Sequence, residues 1–129
     1  MASLNELHSL LHSHVLEVKF IRRSPKPGSP LTRRALITNC NALLNSPNGK
    51  VILRYVPAGS GLKFNPTLKG LILTWDLMWQ SFRLFGAEGS SIITKIPVSS
   101  EEEVNSFWDY FNKSIMPMSP EAKLSFMNS

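Results

Sequence analysis

The chain has 129 residues, 43% of them hydrophobic and 18% charged, and 14 Lys and Arg against 9 Asp and Glu give a net charge of +5. This size and hydrophobic share fit one globular domain and argue against wholesale disorder. The apolar runs are too short to span a bilayer, and the N-terminus lacks the basic and apolar regions of a signal peptide. A single cysteine, Cys40, cannot form an intrachain disulfide. We therefore expect a cytoplasmic protein with no membrane partner.

The first third of the chain predicts a helix followed by a β-hairpin. Ser3-Leu4-Asn5-Glu6 has the spacing of a capping box, and the leucines that follow share one helical stripe, so we predict a helix over residues 4–12. Residues 14–23 alternate apolar and polar side chains, as a half-buried strand does. Residues 24–30 hold three prolines and a glycine and predict a turn. Residues 31–39 then return as the second strand of the hairpin.

The middle of the chain predicts further short strands and turns. The predicted elements are one helical turn over residues 40–45, a β-rich run over 51–56, a loop over 57–66, and strands over 71–75, 79–85 and 92–96. No helix of useful length separates these strands, which disfavours an open α/β sheet. Short strands with turns rich in Gly and Pro favour a mainly β fold, namely a small antiparallel barrel.

The end of the chain changes to a helical pattern. Ser99 or Ser100 is placed to cap a helix, and residues 101–103 are all glutamates, which the helix dipole favours there. Ser119-Pro120 is placed to open a second helix. We therefore predict two parts, α+β overall: a barrel with an N-terminal helix over residues 1–98 and a helical extension packed on it over 99–129. The apolar face of the extension consists of Val104, Phe107, Trp108, Phe111 and Ile115.

Three short segments carry a resemblance to a known family. They are Val18-Lys19-Phe20 with the basic residues after it, Arg33-Arg34-Ala35-Leu36-Ile37-Thr38-Asn39, and Ile72-Leu73-Thr74-Trp75-Asp76-Leu77 with Phe82-Arg83. This order is similar to a small-barrel family of tailed bacteriophages, described as WYL-related, with an Sm-like, Src-homology-3-type fold. The resemblance covers about residues 15–96.

The chain departs from the family pattern at three positions. Ala35, Ile37 and Phe82 stand where Met, Cys and Trp are usual, and all three residues remain apolar. The resemblance implies the barrel fold and, by analogy, a phage regulator or host-directed accessory protein in the host cytoplasm. It implies no catalytic residues. Sm-like barrels often assemble through edge strands, so a homo-oligomer is left open.

Charge is distributed unevenly along the sequence. Residues 1–98 hold 12 Lys and Arg against 4 Asp and Glu, a balance of +8, whereas residues 99–129 hold 2 against 5, a balance of −3. A basic body with an acidic end indicates an anionic partner for the body, although solvated surface charge alone would give the same composition. The acidic helix could also screen the basic residues; removing residues 99–129 should then raise the affinity for anions.

The predicted hairpin concentrates basic residues on a two-stranded ribbon. Cations along a ribbon neutralise phosphates and release counterions, and arginine binds phosphate in a two-pronged manner. We therefore predict a non-enzymatic protein that binds an anionic partner, foremost single-stranded nucleic acid. The alternative is an inhibitor or adaptor that binds an acidic host or phage protein. The predicted nucleic-acid-binding residues are Lys19, Arg22, Arg23, Lys26, Arg33, Arg34, Arg54 and Arg83.

Other residues offer little chemistry. His8 and His12 share a helical face, but two ligands are too few for a zinc site, so we expect no metal and no cofactor. Cys40 has no activating partner in the sequence and is interpreted as a buried thiol. Trp75 is interpreted as a core residue and Asp76 as the cap of the turn that follows it. No nucleophile or phosphate-binding motif is present, so no enzymatic activity is predicted.

Overall fold

The computed structural model describes residues 4–21, 27–28, 32–47, 49, 70–86 and 90–128. Within them, one helix precedes a β-sheet and further helices follow it. In chain order the elements are α1 (Leu4–Leu11), β1 (His14–Ile21), β2 (Thr32–Thr38), α2 (Asn41–Leu44), β3 (Leu71–Asp76), β4 (Ser81–Gly86), β5 (Ser91–Pro97), α3 (Glu101–Tyr110), a π-helical turn (Phe111–Ile115) and α4 (Pro120–Asn128). The helices and strands predicted in these ranges are confirmed, except that residues 79–80, predicted as the start of a strand, belong to the turn before β4. Several predictions lie outside the described residues: Ser3 of the capping box, residues 22–23 of the first strand, most of the turn over 24–30, the strand over 51–56 and the loop over 57–66.

The five strands form one antiparallel sheet in the order β4-β3-β2-β1-β5. Strands β1 to β4 follow one another as a meander, and β5 returns to the free side of β1. The β2–β3 pairing is short, with Ile37 opposite Asp76 and Thr38 opposite Trp75. Most of β3 therefore pairs with β4 alone. Among the described residues no pairing joins β4 to β5, so an α+β fold with an antiparallel sheet is confirmed and closure into a barrel is not.

Helix α1 covers one face of the sheet, which we call the α1 face. Leu7 and Leu11 of the helix are fully buried, because their spacing of four residues places them on one stripe. They pack with Leu16 and Val18 of β1 and with Ile72 of β3. The alternation of β1 thus directs Leu16 and Val18 to this face, as a strand period of two requires.

The opposite face, which we call the α3 face, carries the larger apolar cluster. Val15 and Leu36 of the sheet pack there with Trp75 and with the apolar side of α3 and the π-helical turn. All five apolar residues predicted for the helical extension are buried: Val104, Phe107, Trp108, Phe111 and Ile115. Trp108 is also fixed by a hydrogen bond from its Nε1 to the Ser46 hydroxyl at 3.2 Å. The extension is therefore part of the main core, not a peripheral tail.

Helix α3 begins where the sequence predicts it. Ser100 is the N-cap: its hydroxyl accepts a hydrogen bond from the backbone N–H of Glu103 at 3.2 Å, and Glu103 Oε1 accepts from the backbone N–H of Ser100 at 3.1 Å. This reciprocal pair satisfies two N–H groups that the first helical turn would leave unbonded. The backbone N–H of Ser100 is the main cause that holds the pKa of Glu103 below its ordinary value of 4.5.

Helix α4 packs against β2 and the turn between β3 and β4. The indole Nε1 of Trp79 lies 2.6 Å from the sulfur of Met127, and the Lys123 ammonium donates to the carbonyl of Met78 at 3.0 Å. The same ammonium lies 5.6 Å from the centre of the Trp79 ring. These contacts hold α4 on the sheet although Met127 is its one buried residue among those described.

Candidate nucleic-acid interface

The register of the β1–β2 hairpin decides which cations share a face. Lys19 lies opposite Arg34, and Phe20 lies opposite Arg33. Because directly opposite residues point to the same side of a sheet, Lys19 and Arg34 belong to the α3 face, whereas Arg33 lies with Phe20 on the α1 face. The structure therefore brings Lys19 and Arg34 together and separates the two adjacent arginines.

One carboxylate, that of Glu17, lies on the same face as Lys19 and Arg34. Arg34 Nη1 lies 3.3 Å from Glu17 Oε2, and the side chains of Arg34 and Glu17 are 31% and 20% exposed. Within the described part of the chain, Lys19 forms no ion pair. Like charges directly opposite each other repel, and a single carboxylate compensates only one of the two cations. Ile21 continues this face toward the hairpin end and is 58% exposed. We call Glu17, Lys19, Ile21 and Arg34 the hairpin patch.

The link between the two strands adds three more basic residues by sequence. Arg22, Arg23 and Lys26 lie outside the described residues, as does Arg54. The link joins Ile21 of the hairpin patch to Thr32, its partner in the ladder. From residue 18 to residue 75 the chain contains ten Lys and Arg and no Asp or Glu. In sequence, the link therefore adds three basic residues and no acidic one directly after the hairpin patch.

Arg83 belongs to a different part of the molecule. Its Nε donates to Asp76 Oδ2 at 3.1 Å across the β3–β4 hairpin, and its Nη2 lies 3.0 Å from the same oxygen in an ion pair. Asp76 is 1% exposed, and its other oxygen accepts the backbone N–H groups of Met78 at 3.0 Å and Trp79 at 3.1 Å. The interpretation of Asp76 as the cap of this turn is confirmed. Arg83 is thus engaged by a buried carboxylate and does not join the hairpin patch.

Trp75, which precedes Asp76 in the chain, is a buried core residue. Trp75 is 3% exposed and meets Phe82 edge to face, with ring centres 4.9 Å apart. Trp75 and Phe82 are also direct partners in the β3–β4 ladder. The Trp75-Asp76 and Phe82-Arg83 pairs therefore meet across the β3–β4 hairpin, ring to ring and carboxylate to guanidinium. The interpretation of Trp75 as a core residue is confirmed.

The acidic end of the chain uses some of its carboxylates locally. Glu103 caps its own helix, and Asp109 pairs with Lys113 at 3.0 Å one turn later. Across the described ranges, no ion pair joins the acidic helix to Lys19 or Arg34. Helix α4 packs against β2, and its Phe126 packs against the larger apolar cluster.

The remaining candidate residues show no assembled site. Cys40 is 2% exposed, and its sulfur lies 3.4 Å from the carbonyl oxygen of Val98, so the interpretation as a buried thiol is confirmed. His8 lies on α1 and His12 directly follows its end, and in the ranges that the structure describes no three His, Cys, Asp or Glu side chains are grouped to hold a metal.

The helices were examined for membrane spans, and the chain was compared with known proteins. None of the helices in the described residues is long and apolar enough to cross a membrane. No family of proteins, no curated protein and no solved structure was found to match the chain.

Proposed function

We propose that the protein binds single-stranded nucleic acid through the hairpin patch and the basic link beside it. One observation carries this proposal: Lys19 and Arg34 are direct partners in the ladder, a single carboxylate, that of Glu17, contacts Arg34 on the same face, and the strands lead into a link that holds three further cations and no acid. An arrangement of this kind has an excess of positive charge that phosphates neutralise.

The nature of the surrounding surface supports a single strand as the ligand. Ile21 is 58% exposed at the end of β1, on the same face as the two cations. Bases of a single strand are unstacked and can lie against apolar side chains, whereas a duplex presents mainly its phosphates. Small β-barrels commonly bind oligonucleotides on one face and its loops.

The proposal also includes an Sm-like fold and a role as a phage accessory protein. A four-strand meander with the fifth strand beside the first supports an Sm-like fold. Among the described residues β4 and β5 do not pair, so the sheet itself is not closed. With the resemblance to phage proteins, the proposal describes a non-enzymatic accessory protein of the host cytoplasm. Self-association through the outer strands belongs to the same proposal.

A salt titration with matched variants tests the binding. A labelled single-stranded oligonucleotide is titrated with the protein, with the double variant Lys19→Gln and Arg34→Gln, and with the control Lys95→Gln and Lys113→Gln. Both double variants lower the net charge from +5 to +3. Lys95 and Lys113 are exposed on other elements, so the control removes the same charge away from the hairpin patch.

The expected result is a steep salt dependence that the hairpin variant reduces and the control retains. For single strands, the slope of log K against log salt changes by about 0.7 per phosphate contact, so the loss of two contacts lowers it by about 1.4. Equal weakening in both double variants would show that only net charge matters. Partners captured from cells despite nuclease treatment, with little response to salt, would favour the inhibitor or adaptor alternative.

A further inference from the structure

The hairpin patch contains a carboxylate where an anionic ligand would bind. We propose that Glu17 is an internal competitor of the phosphate: it holds Arg34 in the unbound protein and lowers the affinity for nucleic acid. This inference rests on the proposed function and concerns the regulation of the same site. It assigns Glu17 a role in affinity that differs from a simple contribution to stability.

Glu17 is an isolated acidic residue in a basic stretch of the chain, and it lies on the face of the two cations. From residue 7 to residue 75 it is the one acidic residue of the chain. It lies two residues before Lys19 on β1, which places both side chains on the α3 face, and it contacts Arg34 diagonally across the ladder. The single carboxylate of this basic stretch therefore lies on the same face as Lys19 and in contact with Arg34.

The contact between Glu17 and Arg34 is of a kind that a phosphate can replace. It consists of one pair of atoms, Nη1 and Oε2, at 3.3 Å, and both side chains are partly exposed. Charge-assisted hydrogen bonds usually measure about 2.7–2.9 Å, and the strong arginine pairs use two parallel bonds. A single long contact at the surface contributes little to stability. A phosphate that binds both Lys19 and Arg34 offers more oxygens and more charge.

The competition has two measurable consequences. The carboxylate repels a phosphate bound beside it, and it retains a guanidinium that would otherwise contact the ligand. Removing its charge should therefore tighten binding by about three- to tenfold. The repulsion between two like charges about 6 Å apart at a protein surface corresponds to a change in affinity of this size. The salt dependence should also become steeper by about 0.7 in slope, because Arg34 becomes available for one more phosphate contact.

The test compares Glu17→Gln with Glu121→Gln on the same labelled oligonucleotide. Both variants raise the net charge from +5 to +6. Glu121 is exposed in the first turn of α4, the helix whose Lys123 contacts the β3–β4 turn. Both variants are repeated in an Arg34→Gln background, where the advantage of Glu17→Gln should vanish if it acts through Arg34. Thermal unfolding checks the fold, and Glu17→Thr, which suits a strand, provides a second variant.

Each outcome decides the proposal. Tighter binding and a steeper slope for Glu17→Gln alone, lost in the Arg34→Gln background, support it. If the unmodified protein binds and Glu17→Gln behaves like Glu121→Gln, the competitor role is overturned while the proposed function stands. If the unmodified protein does not bind but Glu17→Gln does, the competitor role stands and the proposed function is withdrawn. Absence of binding in every variant overturns both.

Discussion

Replacing Asp76 by Ala tests how the β3–β4 hairpin is held together. The Asp76 carboxylate is 1% exposed and accepts three hydrogen bonds, two from the backbone N–H groups of Met78 and Trp79 and one from Arg83 Nε, and Arg83 Nη2 completes the ion pair with it. Losing one partner of a buried ion pair costs about 3–5 kcal/mol. Typical domains unfold with about 5–15 kcal/mol, so Asp76→Ala should remove a large part of the stability.

Two milder variants separate the turn from the ion pair. Asp76→Asn retains a carbonyl oxygen for the two backbone N–H groups but loses the charge, and we expect about half of the full loss. Arg83→Gln leaves the capped carboxylate in place; because the Arg83 side chain is 29% exposed, water replaces part of its contact, and about 1–2 kcal/mol is expected. Urea unfolding followed by tryptophan fluorescence measures all three. A loss below about 1 kcal/mol for Asp76→Ala would refute the structural role assigned to this carboxylate.

Three further predictions concern other elements. Trp108→Ala should cost about 3–5 kcal/mol in urea unfolding, because this indole is 2% exposed within the larger core cluster; a value near 1 kcal/mol would contradict that packing. Gln80 has φ of 54°, so Gln80→Gly should raise the unfolding free energy by up to about 1 kcal/mol, and a decrease would show that the Gln side chain is needed. The lowered pKa of Glu103 means that its stabilising effect is present above pH 4.5 and is lost as the pH falls below that value. Glu103→Gln, which can keep the cap without charge, should make thermal unfolding less dependent on pH in this acid range, and an unchanged dependence would assign it to other groups.

Much of the local structure could be predicted because its causes are local. The helix cap, predicted at Ser99 or Ser100 and found at Ser100, and the apolar spacing from Val104 to Ile115 both act within a few residues, and both appear in the structure. The same is true of Asp76, whose carboxylate caps the turn that directly follows it. In each case neighbouring residues define the geometry, so the sequence contains enough information.

The composition of the hairpin patch could not be predicted in the same way. Alternation indicates which residues of one strand share a face, but it does not give the register between two strands joined by a long link. Lys19 faces Arg34 and not Arg33 because of that register, and Glu17 reaches Arg34 from 17 positions away. Arg83 was grouped with the interface by charge alone. Its cross-strand contact with Asp76 requires the three-dimensional pairing of β3 with β4.

The position of α3 changes how the screening hypothesis can be tested. The acidic helix presents exposed carboxylates at Glu101, Glu102 and Asp109, yet its other side fills the main core with Phe107 and Trp108. Removing a single large buried aromatic side chain costs about 3–5 kcal/mol, so deleting residues 99–129 should unfold the protein rather than expose the hairpin. Loss of binding in that truncation would then report on the core. Neutralising the three exposed carboxylates keeps the core intact, and only there would tighter binding than a matched surface control indicate that the acidic helix screens the basic hairpin.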